Sequence, residues 1–337
     1  MTPRFVIIVP LYNKAPYVRK ALESIIAQTY KDFECIVVDD GSTDGSLDVV
    51  RDFVRNDGMS RDNALNDECD FTLNDGRLTI ISQPNAGVAA ARNNGVAASK
   101  GEYLCFLDAD DWWEANFLEE IDRLIKEYPD AGLYATNYVY YKPGKTHVAL
   151  SLPRGYIDYP KAYYEGSSMP VWTGATCMPR RVFDEMGGFP VGIKLGEDFL
   201  LWSKTSLHYK VAFCEKPLAY YNNNVPASLR ATRNLHAPLY HMLFNMQDIE
   251  QLAISSQHSD EWKALLDKLR VIGLMEYWLS DEYHASAAAE LAKVDWSMQP
   301  RKVSAQYEKP IWLLKAKNRF RHIGSYFKQK LIKILCK

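Results

Sequence analysis

Hydrophobic and polar positions alternate along this chain in two distinct rhythms. Residues 5–9, FVIIV, are apolar without a break and mostly β-branched, the signature of a parallel strand covered on both faces; Pro10 is expected to end it. From Ala15 to Thr29, Val18, Leu22, Ile25 and Ile26 recur at helical spacing. CIVVDD (35–40) repeats the strand pattern, DGSTDGS closes it with turn formers, and Leu47, Val50, Phe53 and Val54 mark a short helix. LTII (78–81), a Gly- and Ala-rich helix over about 86–98, YLCFL (103–107), an amphipathic helix over about 115–127 and the strand-like LYATNYVYY (133–141) continue the series. Alternation of this kind predicts an α/β fold with an open, mostly parallel central sheet flanked by helices.

Three stretches break the rhythm. Residues 56–76 are polar, carry six acids against one base and lack periodicity, so they read as a surface insertion. From 142 to 230 the pattern is mixed, with short strands around VWTGATCM and KVAFCE and a helix after GED. Helices are expected at His236–Ala253 and Asp260–Leu279, giving a helical C-terminal extension over 231–306 after an α/β domain of residues 1–230. In 307–337, Trp312, Ala316, Phe320, Ile323, Phe327, Leu331 and Ile334 step by three or four, lysines and arginines fill the other faces, and no acid follows Glu308. An apolar stripe with a cationic face suits a helix lying in an anionic membrane surface; a helix packed on the domain with a solvated basic side is the alternative.

Composition narrows the class. The 337 residues are 47% apolar and 24% charged, as in a globular protein, and the net charge of −2 gives no global attraction to nucleic acid. Six cysteines (Cys35, Cys69, Cys105, Cys177, Cys214, Cys336) show no C-x-x-C spacing and several lie in apolar runs, which argues against a zinc site or disulfide framework and fits a reducing compartment. FVIIVPL is too short for a signal peptide or a membrane span. The expected location is therefore the cytoplasm, peripheral on the inner face of the cell membrane.

Candidate chemistry gathers at strand ends, where open α/β sheets bind ligands. Tyr12 and Asn13 follow the first strand, Asp39 and Asp40 the second, and Asp108, Asp110 and Asp111 the fourth. One acidic strand end is commonly a solvated turn; three on one edge indicate a site. Mg²⁺ or Mn²⁺ takes oxygen ligands, one or two carboxylates with phosphates and water, and strand period two would point both carboxylates of D-x-D the same way. No G-x-x-x-x-G-K-[ST] is present and no G-x-G-x-x-G opens a helix, which argues against a P-loop enzyme and a dinucleotide-dependent oxidoreductase.

VPLYNKAPYVRKALESIIAQTYKDFECIVVDDGSTDGS, QPNAGVAAARNNGVAASKGEYLCFLDADDWW and LGEDFLLW, in that order over about residues 4–222, resemble the motifs of glycosyltransferase family 2, of the bacterial surface or capsular polysaccharide type. The resemblance implies a GT-A nucleotide-diphospho-sugar transferase fold and a metal-dependent, inverting transfer. The sugar would pass from a nucleotide-diphosphate donor, most often a UDP-sugar, to a hydroxyl of a glycan or lipid-linked acceptor. Pro10 and Tyr12 would line the base pocket, Asp40 would hydrogen-bond the base, and Asn85 and Arg92 would belong to the segment closing over the nucleotide. Arg92 would contact phosphate or brace a carboxylate. Asp108 would contact ribose and metal, and Asp110 would ligate the Mn²⁺ or Mg²⁺ directly; Asp111 would cap a helix or support the site. Asp198 matches the general base, and Glu197 beside it would face the acceptor or brace the loop. Trp172 would stack on a sugar or pack in the core; Trp112 and Trp113 would be packing anchors and His208 structural.

One departure stands out. Family members often have a histidine after the ED helix that reaches the metal or diphosphate; here the segment is YYNNNVPAS, and Asn224 is the nearest candidate by position. Two rival readings are a sugar-nucleotide pyrophosphorylase, which should carry a Gly- and Arg-rich N-terminal loop where VPLYNK stands, and a non-catalytic nucleotide- or glycan-binding relative, which should have lost D-x-D or the ED pair.

Overall fold

A computed structural model describes residues 2–56, 76–226, 229 and 235–315. Elements follow the expected alternation: β1 (Phe5–Leu11), α1 (Val18–Ile26), β2 (Phe33–Asp39), α2 (Ser46–Asn56), β3 (Leu78–Ser82), α3 (Val88–Ala97), β4 (Tyr103–Phe106), β5 (Trp112–Trp113), α4 (Phe117–Glu127) and β6 (Ala131–Tyr141). Then come β7 (His147–Val148), β8 (Gly155–Ile157), α5 (Tyr159–Glu165), β9 (Thr176–Pro179), α6 (Arg180–Met186), α7 (Glu197–His208) and β10 (Lys210–Asn222). The sheet order is β3-β2-β1-β4-β9-β6-β10-β5, with β7 on β6 and β8 on β10. β3, β2, β1 and β4 are parallel neighbours, so their carboxyl ends share one edge, and β9 runs antiparallel between β4 and β6.

The strands were readable because they are buried on both faces: every residue of β1 is buried. Pro10 does not end β1. The Ile8 carbonyl accepts from Leu107 N–H on the β4 side, and period two turns Pro10 to that side as well, where pairing with β4 has stopped at Ile8–Phe106. Its missing N–H therefore costs no ladder bond. Val18, Ala21, Leu22 and Ile25 form the buried stripe of α1, a 3.6-residue repeat against the sheet. α3 packs closer because its core face is small: a Cβ on Gly95 would lie 2.7 Å from Ile8 Cγ2 and 3.0 Å from Val38 Cγ2. Cys35, Cys105, Cys177 and Cys214 are buried among these apolar groups.

The helix expected at His236–Ala253 is replaced by two 3-10 turns (Pro238–Tyr240 and Met242–Phe244) before α8 (Gln247–Ile254). Besides its short-range turn bonds, the backbone here bonds outward: Lys194 N–H donates to the Tyr240 carbonyl (2.8 Å) and Met242 N–H to that of Leu195 (3.0 Å). The second expected helix divides into α9 (Ser259–Gly273) and α10 (Met275–Leu279), with Gly273 at the break.

The chain divides into compact units at 1–262 and 263–337. In the second, α10, α11 (His284–Leu291) and α12 (Arg301–Tyr307) border a cavity of about 420 Å³ walled by Trp278, Trp296 and Tyr307. Most of the expected 56–76 insertion and the tail from 316 onward lie outside the described residues. Among those described, no helix is long and apolar enough to cross a membrane.

Gly95→Val places branched methyls against Ile8 and Val38, and overpacking of that kind costs about 1–3 kcal/mol. Urea unfolding should show a lower midpoint with an unchanged slope; an equal midpoint would mean that α3 can move away from β1.

Candidate active site

The polar residues at the ends of β1 to β4 meet on one edge. Tyr12, just past β1, keeps its ring about half exposed (49%), open to a planar partner. Asp40 is buried behind it. Its carboxylate accepts from Gln83 Nε2 (2.7 Å) and the Ala86 (2.8 Å) and Gly87 (2.9 Å) N–H groups, while Asn85 Nδ2 donates to its carbonyl (3.0 Å). Asp40 thus fastens the segment leading into α3, and Asn85 is held with it. Gly41, at φ 74°, lets that segment come close; a Cβ there would stand 3.0 Å from Asn85 N, and positive φ suits glycine. The Asp39 carboxylate accepts a longer bond from Ser42 N–H, 3.3 Å, and its carbonyl accepts from Gln83 N–H at 2.9 Å.

The D-x-D carboxylates do not owe their arrangement to strand period. β4 stops at Phe106, and Asp111 N–H donates to the Asp108 carbonyl (3.0 Å), closing a turn over 108–111. Asp111 is buried and accepts from Asn222 N–H (2.7 Å), which ties the turn to the end of β10. Burial, with Asp110 and Asp108 beside it, raises its pKa. Asp108 and Asp110 each give one oxygen to a basic side chain, Arg92 and Lys14, and keep a second that no other described side chain holds. Two partly accessible carboxylates make a hard-oxygen donor set that fits Mg²⁺ or Mn²⁺ completed by phosphate and water. Burial raises the Asp110 pKa against the pull of Lys14, the response expected of a carboxylate waiting for more positive charge.

Arg92 is the centre of the site. Its Nη2 donates to Asp108 Oδ1 and its Nη1 to Glu197 Oε1, both at 2.8 Å, and the group is 3% exposed. Burial works to lower its pKa, but Asp108, Glu197 and Asp198 outweigh it and raise it. Of the two roles open from sequence, Arg92 braces carboxylates. Burial and the adjacent Asp198 push Glu197 up to about 7 against the pull of Arg92. Through its bond to Arg92, Glu197 links the start of α7 to the D-x-D turn.

Asp198, in the first turn of α7, accepts from Phe199 N–H (2.7 Å) and from Thr173 Oγ1 (2.9 Å). Thr173 in turn accepts from Trp202 Nε1 (3.3 Å). The carboxylate is thereby fixed in rotamer while partly open. Sequence reading passed over Thr173, which carries no motif signal beyond its place in VWTGATCM. Trp172 is 8% exposed and packs among aromatic rings, with Tyr138 and Tyr221 at 4.8 and 5.4 Å, the core packing that was one of its two expected roles. Trp113 packs on Phe117 at 4.1 Å and donates to the Gly174 carbonyl; Trp112 stacks on Tyr220 at 5.1 Å. Asn224 is exposed, its N–H donating to Asn222 Oδ1 (3.1 Å). The basic group against Asp110 is instead Lys14, also missed, although it follows directly on Tyr12 and Asn13.

The model of a known family, glycosyl transferase family 2, matches residues 6–187. The chain belongs to that family. Glycosyltransferase GlyA of Streptococcus pneumoniae is 33% identical over 232 residues, 65% of this chain and 30% of GlyA; the chain thus spans under a third of that relative. Among solved structures, S. aureus TarS 1–349 in complex with UDP-GlcNAc superposes with a TM-score of 0.68 at 18% identity, covering 90% of this chain and 83% of that one. The mannosyltransferase PcManGT of Pyrobaculum calidifontis with GDP-Man and Mn²⁺ gives 0.53 at 21% identity, covering 91% and 79%. These likenesses show a common GT-A-type fold.

Removing the guanidinium in Arg92→Met leaves two carboxylates facing each other without a cation, a change that costs about 3–5 kcal/mol where the pair is buried. A glutamate whose folded pKa stands above its unfolded value favours folding below the unfolded pKa and loses that contribution as pH rises towards 7. Without Arg92 the loss grows, so chemical denaturation should find the variant closer to wild type at pH 5 than at pH 8. A deficit independent of pH would place the cost elsewhere.

Proposed function

We propose that this protein transfers a sugar, with inversion at the anomeric carbon, from a nucleoside-diphosphate donor to a hydroxyl group of a glycan or lipid-linked acceptor. The observation that carries the reading is the Asp108–Arg92–Glu197 bridge, which ties the D-x-D turn to the first turn of α7, where Asp198 stands next to Glu197. Family membership and the fold shared with enzymes solved with UDP-GlcNAc or GDP-Man support it. A UDP-sugar is the preferred donor: the exposed Tyr12 ring offers a face for the base, with Pro10 and the Asp40-fastened 83–87 segment beside it.

Asp108 and Asp110 would hold Mg²⁺ or Mn²⁺, which supplies positive charge for the departing diphosphate. Asp198 takes the acceptor's proton; the Phe199 N–H and Thr173 hydroxyl each hold one of its oxygens, and each oxygen keeps a second lone pair for that proton. Arg92 and Glu197 hold the two halves in register, so that the attacking and leaving groups meet without reorganisation. Intact D-x-D and ED motifs disfavour a non-catalytic relative, and VPLYNK in place of a glycine-rich loop disfavours a pyrophosphorylase.

A screen of nucleotide sugars for Mn²⁺- or Mg²⁺-dependent release of nucleoside diphosphate tests this. Asp198→Asn should lower turnover by about a hundredfold or more with donor affinity little changed, and Asp110→Ala should abolish the metal-dependent part. Undiminished release in Asp110→Ala would remove the metal assignment.

We also propose that the basic end of the chain, residues 307–337, rests on an anionic membrane surface at the cytoplasmic face, bringing the site to a lipid-linked acceptor. Its support is the single-sign charge and apolar stripe of the sequence. Liposomes containing anionic lipid should co-sediment the full chain and release a chain truncated near Glu308. Equal binding by both would leave the segment as ordinary packing.

A further inference from the structure

The inference drawn here rests on the donor reading above and concerns its diphosphate end. Lys14 stands on a turn built to aim it. Asn13 adopts φ 51°, a left-handed conformation that asparagine tolerates better than other non-glycine residues. The turn is bolted to the loop before α2. Asn13 N–H donates to Ser42 Oγ (3.1 Å), Asn13 Oδ1 accepts from Thr43 N–H (2.8 Å), Lys14 N–H donates to Ser46 Oγ (2.7 Å) and Ala15 N–H to Asp44 Oδ2 (3.1 Å). From this base the Lys14 side chain crosses to the D-x-D turn, where Nζ pairs with Asp110 Oδ2 and reaches the Leu229 carbonyl at 3.1 Å.

The two cations at that turn differ in freedom. Arg92 is buried and shared between two carboxylates, so turning it towards a ligand would strand both. Among the described residues Lys14 has one carboxylate partner, and both groups keep 17% of their side-chain surface exposed. A lysine ammonium is a point charge on a flexible stem with three donors; it can leave one oxygen anion for another at small cost. The segment after β10 also lacks a histidine, so no imidazole from YYNNNVPAS competes for the role.

We propose that Lys14 is the exchangeable cation of this site. In the free protein it neutralises Asp110 in competition with a divalent ion, and with donor bound it yields that carboxylate and pairs with the diphosphate.

Isothermal titration of the full chain tests both halves, with Mn²⁺ alone and with UDP or UMP in the presence and absence of Mn²⁺. Lys14→Met and Lys14→Gln should bind Mn²⁺ alone on the order of threefold tighter, because a competing charge is gone. They should bind UDP on the order of tenfold weaker and UMP nearly as wild type does, since the lost contact is to the second phosphate. Lys14→Arg should keep most of the affinity for UDP. Circular dichroism and melting temperature verify that each variant is folded. Unchanged Mn²⁺ affinity overturns the competition, and unchanged UDP affinity, or an equal loss for UMP, overturns the diphosphate role. A wild-type chain that binds neither UDP nor GDP overturns the donor reading itself, and this inference with it.

Discussion

A buried arginine between two carboxylates is the constraint on which the site depends. Charges removed from water must be paired, and the geometry of the pairing then becomes rigid. Arg92 sits on α3, Asp108 on the turn after β4 and Glu197 at the start of α7. Asp108 lies 16 residues from Arg92 and Glu197 lies 105 away, and one guanidinium joins the two carboxylates. The cost of burying Arg92 and Glu197 is offset by what the bridge ties together: the D-x-D turn and the start of α7, which carries Asp198.

Each remaining polar group is arranged around this bridge in a graded way. Asp40 and Asp111 are deep, and their acceptor capacity goes to backbone N–H groups that shape loops. Asp108, Asp110 and Asp198 are partly open and keep capacity to spare. Five acids thereby divide into two that hold backbone and three that stay partly open, of which Asp108 and Asp110 share one turn. Thr173 does for Asp198 what Arg92 does for Asp108, fixing a direction without consuming the group. Glycine at 41 and 95 allows the strand-end loop and α3 to come close enough for the network to close.

Much of this was legible in the chain. Unbroken apolar runs announced strands buried on both faces, and the acids beyond them announced a ligand edge, because strand direction sends every carboxyl end of a parallel sheet to the same side. The motif order was specific enough to indicate the family. What failed were inferences that assumed purely local behaviour. Pro10 looked like a strand end, yet a proline is harmless where the neighbouring strand has stopped pairing. D-x-D looked like strand period two, yet a turn made the juxtaposition. His236–Ala253 had helical composition, but its backbone found partners around Lys194 and Leu195.

The sequence by itself determined the α/β class, the acidic edge and the candidates for holding a metal or taking a proton, since burial periodicity and residue chemistry are local properties. Only the tertiary structure decided which charges meet. Which carboxylates meet Arg92, which rings pack on Trp172 and which basic group stands against Asp110 depend on distances between elements 16 to 105 residues apart in the chain. Lys14 passed unnoticed because nothing adjacent to it in the chain is acidic; its partner lies 96 positions away, brought near by the parallel pairing of β1 with β4.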